Sequence, residues 1–185
     1  MLCGDILRIS DIVISKNEET LLKCIARTGL FLELYKGQLS ISTATINSCI
    51  KKDLIIKDRP VLIFTKLLTP YKLTEKGKYI VNYLYMITPY QSNARQIEHD
   101  YILGKIYLSL NDSERETWRT EGELMLFYPN SSVVDGVYTD INKALVGIEV
   151  ITSNYSENDI SSKKDFISKY CDKAIILNTK DIFRS

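Results

Sequence analysis

Val-Gly-Ile-Glu-Val-Ile, residues 146–151, is an apolar run with a single acid, Glu149, at its centre. A second run, residues 133–138, reads Val-Val-Asp-Gly-Val-Tyr and carries Asp135. β-branched and aromatic residues dominate both runs, which predicts two strands. A carboxylate beside a hydrophobic core costs free energy unless a metal, a cation or hydrogen-bond donors offset that cost. The two acids therefore predict a site on neighbouring strands, where they could share one divalent cation.

The composition is that of a globular protein. The chain has 185 residues, of which 45% are hydrophobic and 25% are charged. This length suits one domain of ordinary size or two small ones. The sequence has no apolar run of the roughly 18 residues that span a bilayer, so no membrane partner is expected. Charges at Asp5, Arg8 and Asp11 argue against a secretory signal, and we expect a cytoplasmic protein.

Cysteine and histidine are too sparse for the common transition-metal sites. The four cysteines are scattered and form no Cys-x-x-Cys pair, which predicts reduced and mostly buried thiols rather than a zinc site. There is one histidine, His99, so a His-rich metal site is excluded.

The two halves of the chain differ in charge although the net charge is only +1. Residues 1–90 carry 13 Lys+Arg and 8 Asp+Glu, whereas residues 91–185 carry 11 and 15. The basic excess is densest between residues 51 and 78, and a local basic surface favours a polyanion. The acidic second half fits a protein partner better than a second DNA contact.

Element order in the first half suggests a DNA-binding fold. Apolar spacing predicts helices at residues 17–27 and 42–52 and from Thr74 onward, with β-rich stretches at 54–65 and 67–73 between the last two. Residues 1–88 resemble a winged helix-turn-helix domain, in which the wing enters the last helix through a phrase like Tyr-Lys-Leu-Thr-Glu-Lys-Gly, residues 71–77. This resemblance implies binding to double-stranded DNA.

The outer face of the second predicted helix and the wing hold the expected DNA contacts. Small polar side chains permit close approach to base edges, and lysine or arginine reaches phosphates. These expected contacts are Thr43, Thr45, Asn47, Lys51, Lys52, Lys57, Arg59, Lys66 and Lys72. Ala44, Ile46, Cys49, Ile50 and Leu54 are predicted to form the buried side. The alternative is an ordinary solvated helix beside a simple hairpin, in a winged helix that binds protein.

The second half begins after a proline-containing linker at residues 88–93 and covers residues 94–185. We predict a helix at 94–110, strands at 123–128, 133–138 and 144–152, a helix at 157–170 and a strand at 173–177. This α-β-β-β-α-β order resembles the core of the PD-(D/E)XK nuclease superfamily, with Asp135 on the second strand and Glu149 on the third.

Residues 96–178 also resemble the replication-relaxation family of plasmid and mobile-element proteins, which joins a winged helix to such a core. The resemblance rests on these short motifs: His99-Asp100, Trp118-x-x-Glu121, Val134-Asp135-Gly136, Ile148-Glu149-Val150 and Lys169-Tyr170.

The nuclease resemblance implies a magnesium site. Asp135 and Glu149 would be ligands, with Glu98 or Glu121 as the third acid, and a lysine would activate the attacking water. The superfamily places that lysine two residues after the glutamate, where this chain has Ile151. A lysine could instead come from the following helix, where Lys163 and Lys164 are the candidates. Val134 also replaces the proline that usually precedes the aspartate.

We therefore expect an α+β chain in two parts that binds DNA in the replication, transfer or transcriptional control of a plasmid, phage or other mobile element. The nuclease-like domain would have lost cleavage, would need no cofactor, and would serve dimerisation or partner binding. A homodimer contact is predicted at the Tyr-rich helix, residues 78–87. One alternative is a Mg²⁺-dependent DNA endonuclease with a migrated lysine, and another is a winged helix that binds only proteins.

The two acids also have a purely structural interpretation. Glu149 could be neutralised by a lysine on the neighbouring helix, and Asp135-Gly136 could form a turn or bulge. Trp118 is predicted to lie in the core.

Overall fold

The structure, a computed structural model, describes residues 12–92 and 96–182. Within these residues it is a mixed α/β chain with eight α-helices and three small sheets, which confirms the expected α+β class. None of the helices described there has the length and apolar character that crossing a bilayer requires.

The first half contains three helices and five short strands. The helices are α1 (Lys16–Thr28), α2 (Thr43–Lys51) and α3 (Glu75–Tyr85), with a 3-10 turn at Glu33–Tyr35. The strands are β1 (Phe31–Leu32), β2 (Ile55–Lys57), β3 (Val61–Ile63), β4 (Lys66–Leu68) and β5 (Pro70–Leu73). β1, β5 and β2 form one antiparallel sheet in that order, and β3 pairs with β4 as a separate hairpin.

Side-chain caps explain where these helices start and stop. Ser15 and Glu18 form a reciprocal capping box at the start of α1, and Gly29 ends the helix at φ 86°, a conformation that favours glycine. The Thr74 hydroxyl accepts a hydrogen bond from the Gly77 amide at 2.9 Å and starts α3, as the sequence predicts. A Cβ atom on Gly77 would lie 1.9 Å from the Leu54 carbonyl oxygen, so glycine is required at this close approach.

The second half builds a four-stranded mixed sheet. Its helices are α4 (Ile97–Ser109), α5 (Asp112–Thr117), α6 (Glu121–Phe127), α7 (Glu157–Tyr170) and α8 (Thr179–Ile182). Its strands are β6 (Arg119–Thr120), β7 (Gly136–Thr139), β8 (Leu145–Ile151) and β9 (Lys173–Asn178). The sheet order is β6-β7-β8-β9; β7 is antiparallel to both β6 and β8, and β9 is parallel to β8.

The predicted strand at residues 123–128 is wrong, because this segment is helix α6. A short apolar run does not by itself distinguish a strand from a buried helix. The deciding feature is the capping box at Thr120, whose hydroxyl accepts from the Glu123 amide at 3.2 Å. The Glu123 carboxylate accepts from the Thr120 amide at 2.7 Å in return. The first strand of the sheet is instead the two-residue β6.

The two faces of the sheet pack against different partners. Val146, Ile148 and Val150 of β8 belong to the main core, which α1 and α4 also line. Val137 of β7 packs on the opposite face in a smaller core with Phe166 of α7 and with Leu124. Trp118 is 2% exposed in the main core, as predicted. Cys24 and Cys49 are buried and Cys171 is partly buried, all as free thiols; Cys3 lies outside the described residues.

The main core continues from the first half into the second. The Tyr35 hydroxyl donates to the Tyr101 carbonyl oxygen at 3.2 Å. The β3–β4 hairpin also contacts α4, since the Phe64 amide donates to a Glu98 carboxylate oxygen at 3.3 Å and the Phe64 ring meets the Tyr101 ring edge-on at 5.5 Å. The turn of the hairpin is therefore held against the second half.

Candidate functional site

The structure brings Asp135 and Glu149 together in the interior. Asp135 was predicted to lie on the strand at residues 133–138, but the observed strand β7 begins at Gly136, so Asp135 directly precedes it; Glu149 lies within β8 as predicted. They are 3% and 1% exposed. The two are linked directly, because the Asp135 amide donates to Glu149 Oε2 at 3.3 Å. The pairing of Gly136 with Ile148 across β7 and β8 sets this proximity.

His99 of α4 contacts two of the buried acids. Its Nε2 lies 3.0 Å from Asp135 Oδ2, and its Nδ1 lies 3.2 Å from Asp100 Oδ1 and 3.3 Å from the Tyr90 hydroxyl. Burial alone lowers the pKa of His99, but hydrogen bonds and charge from Asp100 and Asp135 outweigh it and raise that pKa from 6.5 to about 10. At neutral pH His99 is therefore an imidazolium held between two carboxylates.

Hydrogen bonds from the backbone and from the connecting segment complete this cluster. The Val150 amide donates to Asp135 Oδ2 at 2.7 Å. The same oxygen therefore contacts both His99 Nε2 and the backbone of β8. The Ser92 hydroxyl donates to Asp100 Oδ2. Both Asp100 and Asp135 thus have charge-assisted partners, which are stronger than neutral hydrogen bonds.

Lys163 of α7 reaches the acids from the other side. Its side chain is 11% exposed, and its Nζ lies 3.8 Å from Glu149 Oε2 and 3.5 Å from Glu121 Oε1. The ammonium also donates to the Val133 carbonyl oxygen. Lys164 is exposed and forms no ion pair among the described residues. Of the two lysine candidates, the structure therefore brings only Lys163 to the site.

The two candidates for a third acid have different positions. Glu121 joins the site through Lys163. Glu98 accepts the amide of Phe64 from the β3–β4 hairpin. Glu98 is therefore engaged in packing the hairpin on α4, although it neighbours His99 in sequence.

One carboxylate oxygen of Glu149, Oε1, is buried and lacks a hydrogen bond within the described chain. Burial and the neighbouring charge of Asp135 raise the pKa of Glu149 above its ordinary value, and the charge of Lys163 and hydrogen bonds from the Tyr155 hydroxyl and the Asp135 amide offset this only in part.

These contacts do not fit the magnesium site that the nuclease resemblance implies. Mg²⁺ takes free carboxylate oxygens in near-octahedral geometry. Here His99 contacts the Asp135 carboxylate, and the Lys163 ammonium lies between Glu149 and Glu121. In the part of the chain that the structure describes, no three His, Cys, Asp or Glu side chains are placed to hold a metal ion. The negative charges of these acids are instead offset by His99 and Lys163.

A second candidate site is the basic surface of the first half. On α2, Thr43, Asn47 and Lys51 are exposed at intervals of four residues, as predicted. Thr45 is not on that face: it is buried, and its Oγ1 lies 2.9 Å from the hydroxyl of Ser42, the N-cap of α2. Because Thr45 lies beside Ile46 and one turn before Cys49, it shares their inner side.

The inner side of α2 also differs from prediction in its apolar residues. Ile46, Cys49 and Leu54 are buried as expected. Ala44 is exposed and Ile50 is 39% exposed, so neither belongs to the buried side. A helix of nine residues buries only a narrow strip of side chains, and in α2 this strip includes Thr45 instead of Ala44.

Some predicted DNA contacts are already paired within the protein. Lys52 Nζ lies 2.6 Å from Glu18 Oε1 and donates to the Val13 carbonyl oxygen at 2.7 Å. Burial raises the pKa of Glu18, but the hydrogen bonds from Lys52 and Ser15 lower it overall to about 2. The expected role of Lys52 in reaching phosphates therefore competes with this ion pair.

Three more of the predicted DNA contacts have partners within the described chain, and three predicted cations do not. Lys72 lies 2.9 Å from Asp58, and Lys57 lies 5.9 Å from the centre of the Tyr71 ring. The Thr43 hydroxyl accepts a hydrogen bond from Lys36 at 3.1 Å. The cations that are exposed and form no ion pair or ring contact with any described residue are Lys51, Arg59 and Lys66.

The sequence pattern missed the central position of His99. His99 and Asp100 are adjacent at the start of a predicted helix, but no spacing indicates that the imidazole reaches residue 135. That contact depends on how α4 packs against the sheet, where it contacts β8. The one available signal was the presence of a single histidine next to an acid.

Comparison of the chain with protein-family models, with curated proteins and with solved structures gives no match.

Proposed function

We propose that this protein binds double-stranded DNA through its first half, as a winged helix-turn-helix protein of a plasmid, phage or other mobile element. It would act in replication, transfer or transcriptional control, like the replication-relaxation proteins that it resembles. The second half would be a nuclease-like domain that has lost cleavage and serves dimerisation or partner binding.

The observation that carries this proposal is a set of exposed cations in the first half. Lys51, Arg59 and Lys66 are exposed and form no salt bridge within 4 Å in the described chain, although the charge of Arg59 helps to lower the pKa of the neighbouring Asp58. Exposed cations without internal partners can neutralise phosphates, and this electrostatic term dominates non-specific DNA binding. The exposed side chain of Asn47, one turn before Lys51, adds a group that can hydrogen-bond base edges.

The topology of each half supports the proposed folds. In the first half, β1, β5 and β2 form a small sheet beside three helices, and the β3–β4 hairpin lies between β2 and β5 in the chain, which is the order of a winged helix, with its turn packed on α4. In the second half, β6, β7 and β8 are antiparallel and α7 connects β8 to the parallel strand β9. The order resembles the expected α-β-β-β-α-β core when the two-residue β6 stands for the first strand, which was predicted at residues 123–128, and when the additional helices α5, α6 and α8 are set aside.

Loss of cleavage is supported by the buried acids. An active site of the implied kind needs carboxylates that are free to bind Mg²⁺ and a lysine aimed at the attacking water. In this chain His99 contacts Asp135, and Lys163 lies against Glu149 and donates to the Val133 carbonyl oxygen. These contacts support a cluster in which His99 and Lys163 offset the charge of the acids that would otherwise bind the metal.

Replacing Lys51, Arg59 and Lys66 together with alanine is expected to weaken binding to a duplex by at least about tenfold in roughly 100 mM salt. The slope of log affinity against log salt should become shallower by about 0.9 for each phosphate that the variant no longer neutralises. Fluorescence anisotropy with a labelled random duplex, at several salt concentrations, measures both quantities.

The matched control removes three lysines from the second half, Lys164, Lys169 and Lys180, and so changes the net charge equally. We expect its slope to stay near that of the wild-type protein. Equal weakening by both triple variants would show that net charge alone sets the affinity. An unchanged slope in the first variant would place any DNA contact elsewhere.

A Mg²⁺-dependent endonuclease is the second candidate. The observation that favours it is that Lys163 Nζ lies 3.8 Å from Glu149 Oε2, since a catalytic lysine that has migrated to this helix must reach the acids.

A winged helix that binds only proteins is the third candidate, and it predicts no salt-dependent affinity for DNA. The anisotropy titration separates the third candidate from the proposal, and a cleavage assay separates the second.

A further inference from the structure

A cavity of about 240 Å³ lies between α6, α7 and the sheet of the second half. Its floor is apolar, since Leu124 of α6, Val137 of β7 and Phe166 of α7 line it and are all buried. These three side chains belong to the smaller core, on the face of the sheet that packs against α7. We refer to this space as the α6–α7 cavity.

Aromatic rings form one wall of the α6–α7 cavity. The Tyr128 ring centre lies 5.2 Å from that of Phe166 and 4.5 Å from that of Tyr170. Phe127 also lines the cavity, although it is 63% exposed. Aromatic rings pack favourably against one another edge-on or with an offset. A flat aromatic ligand would therefore extend this ring cluster and remove part of Phe127 from water.

The cavity has one cation at its mouth. Among the described residues, Arg119 of β6 is the only charged one that lines the cavity. Its guanidinium lies 5.3 Å from the centre of the Phe127 ring and forms no hydrogen bond or ion pair with any described residue. A guanidinium presents donors that match the two oxygens of a carboxylate. Because no acid of the described chain lines the cavity, Arg119 favours an anionic ligand.

Neutral polar groups also lie at the cavity. Tyr128, Tyr170 and Thr139 line it, and their hydroxyls form no hydrogen bond with any described residue. Thr117 differs, because its hydroxyl accepts from the Thr139 amide at 2.9 Å and donates to the Glu114 carbonyl oxygen at 2.8 Å. Small-molecule sites are mostly apolar and aromatic, with a few polar groups that orient the ligand. The lining of this cavity has that composition.

The volume of the cavity limits the size of its ligand. Sites for drug-sized molecules measure about 300–1,000 Å³. The α6–α7 cavity, at about 240 Å³, is smaller, so it suits a molecule of one or two rings.

We propose that the α6–α7 cavity binds a small, flat aromatic molecule that carries one negative charge, namely an aromatic carboxylate. The ring would lie against the aromatic wall, and the carboxylate would accept hydrogen bonds from the Arg119 guanidinium. The site is separate from the buried acids, since neither Asp135 nor Glu149 lines the cavity. It goes beyond the proposed function and does not rest on it, because no residue of the first half takes part.

Isothermal titration calorimetry without DNA tests the site with three probes: benzoate, naphthoate and indoleacetate. At least one should bind, at one site per chain, with a dissociation constant on the order of 100 µM, which a ligand of about ten non-hydrogen atoms can reach. The uncharged amide of the same acid should bind at least about tenfold more weakly, since hydrogen bonds to a charged group are stronger than neutral ones.

Two variants assign the contacts. Arg119→Gln removes the cation and should weaken binding of the acid by about tenfold while leaving the affinity for the amide unchanged. Thr139→Phe places a ring in the cavity and should abolish binding of both. Lys180→Gln on α8 removes the same charge from an exposed position that does not line the cavity, and this matched control should keep the wild-type affinity. Circular dichroism checks that each variant is folded.

The inference is overturned if none of the three acids binds at millimolar concentration, or if acid and amide bind equally well. Binding that Thr139→Phe leaves intact would place the ligand outside the cavity and would also overturn it. Equal weakening by Arg119→Gln and Lys180→Gln would show that net charge attracts the acid, against the role given to Arg119. Since no DNA is present, failure of this test leaves the DNA-binding proposal intact.

Discussion

Replacing His99 with alanine is expected to lower the free energy of unfolding by about 3–5 kcal/mol, the range found when one partner of a buried ion pair is removed. His99 is 2% exposed and contacts both Asp100 and Asp135. Without the imidazolium, the two carboxylates remain buried with only hydrogen-bond donors to offset their charge. Urea denaturation at pH 7, followed by far-UV circular dichroism, measures the decrease.

A double variant separates the charge effect from simple loss of packing. His99→Gln with Asp135→Asn replaces both charged groups by amides of similar size, and should recover part of the stability that His99→Gln alone removes. A decrease below about 1 kcal/mol in His99→Ala would show that the ion pairs are not a structural requirement.

The same ion pairs predict the pH dependence of stability. The folded-state pKa of His99 is about 10 and its ordinary value is 6.5, so the folded protein keeps a proton that the unfolded chain loses. The stabilisation is complete below pH 6.5 and is lost as pH rises through about 10, with a slope of up to about 1.4 kcal/mol per pH unit. Glu149 acts in the same direction, because its folded-state pKa is also raised above the ordinary value of 4.5. Replacing His99 with glutamine should abolish the decline above pH 7.

Replacing Lys163 with methionine should lower the free energy of unfolding by about 3 kcal/mol. Lys163 is the cation nearest to Glu149 in the described chain, and it also satisfies the Val133 carbonyl oxygen. Methionine keeps much of the side-chain volume but removes the charge and the donors. Glu149 would then be a buried acid with one fewer partner, and its pKa should rise further. Chemical denaturation at pH 8, well above the ordinary pKa of a glutamate, measures the effect.

Lys164→Met serves as the neighbouring control, because Lys164 is exposed and should tolerate the change within about 0.5 kcal/mol. Adding Glu149→Gln to Lys163→Met should restore part of the stability, since the uncompensated carboxylate is gone. Equal effects of the two lysine variants would contradict the structural role assigned to Lys163.

Local sequence signals predicted several elements well. Helix α7 covers Glu157–Tyr170 as predicted, and the cap at Thr74 and the glycine at the end of α1 are where the pattern places them. The apolar runs around Asp135 and Glu149 predicted neighbouring strands, because a single acid within an apolar run is informative whatever the tertiary context. These features depend on residues close together in the chain.

Features that depend on packing could not be predicted from the sequence. Thr45 was predicted to be exposed although it lies on the inner side of α2. The ion pair of Lys52 with Glu18 joins residues 34 positions apart, and the contact of His99 with Asp135 joins residues 36 positions apart. Predicting such contacts requires knowing how the helices and strands pack together. The error at α6 is of another kind, because its capping box joins Thr120 and Glu123, which are only three residues apart in the sequence.

We propose that this protein binds DNA without cutting it. The most direct test incubates the purified protein with supercoiled plasmid in Mg²⁺, Mn²⁺ or EDTA, beside the Asp135→Ala and Glu149→Ala variants, and runs a binding gel on the same samples. We predict a salt-sensitive mobility shift with the plasmid intact under every condition. Metal-dependent nicking or linearisation that disappears in both variants would contradict the claim, and would identify an endonuclease that uses Lys163.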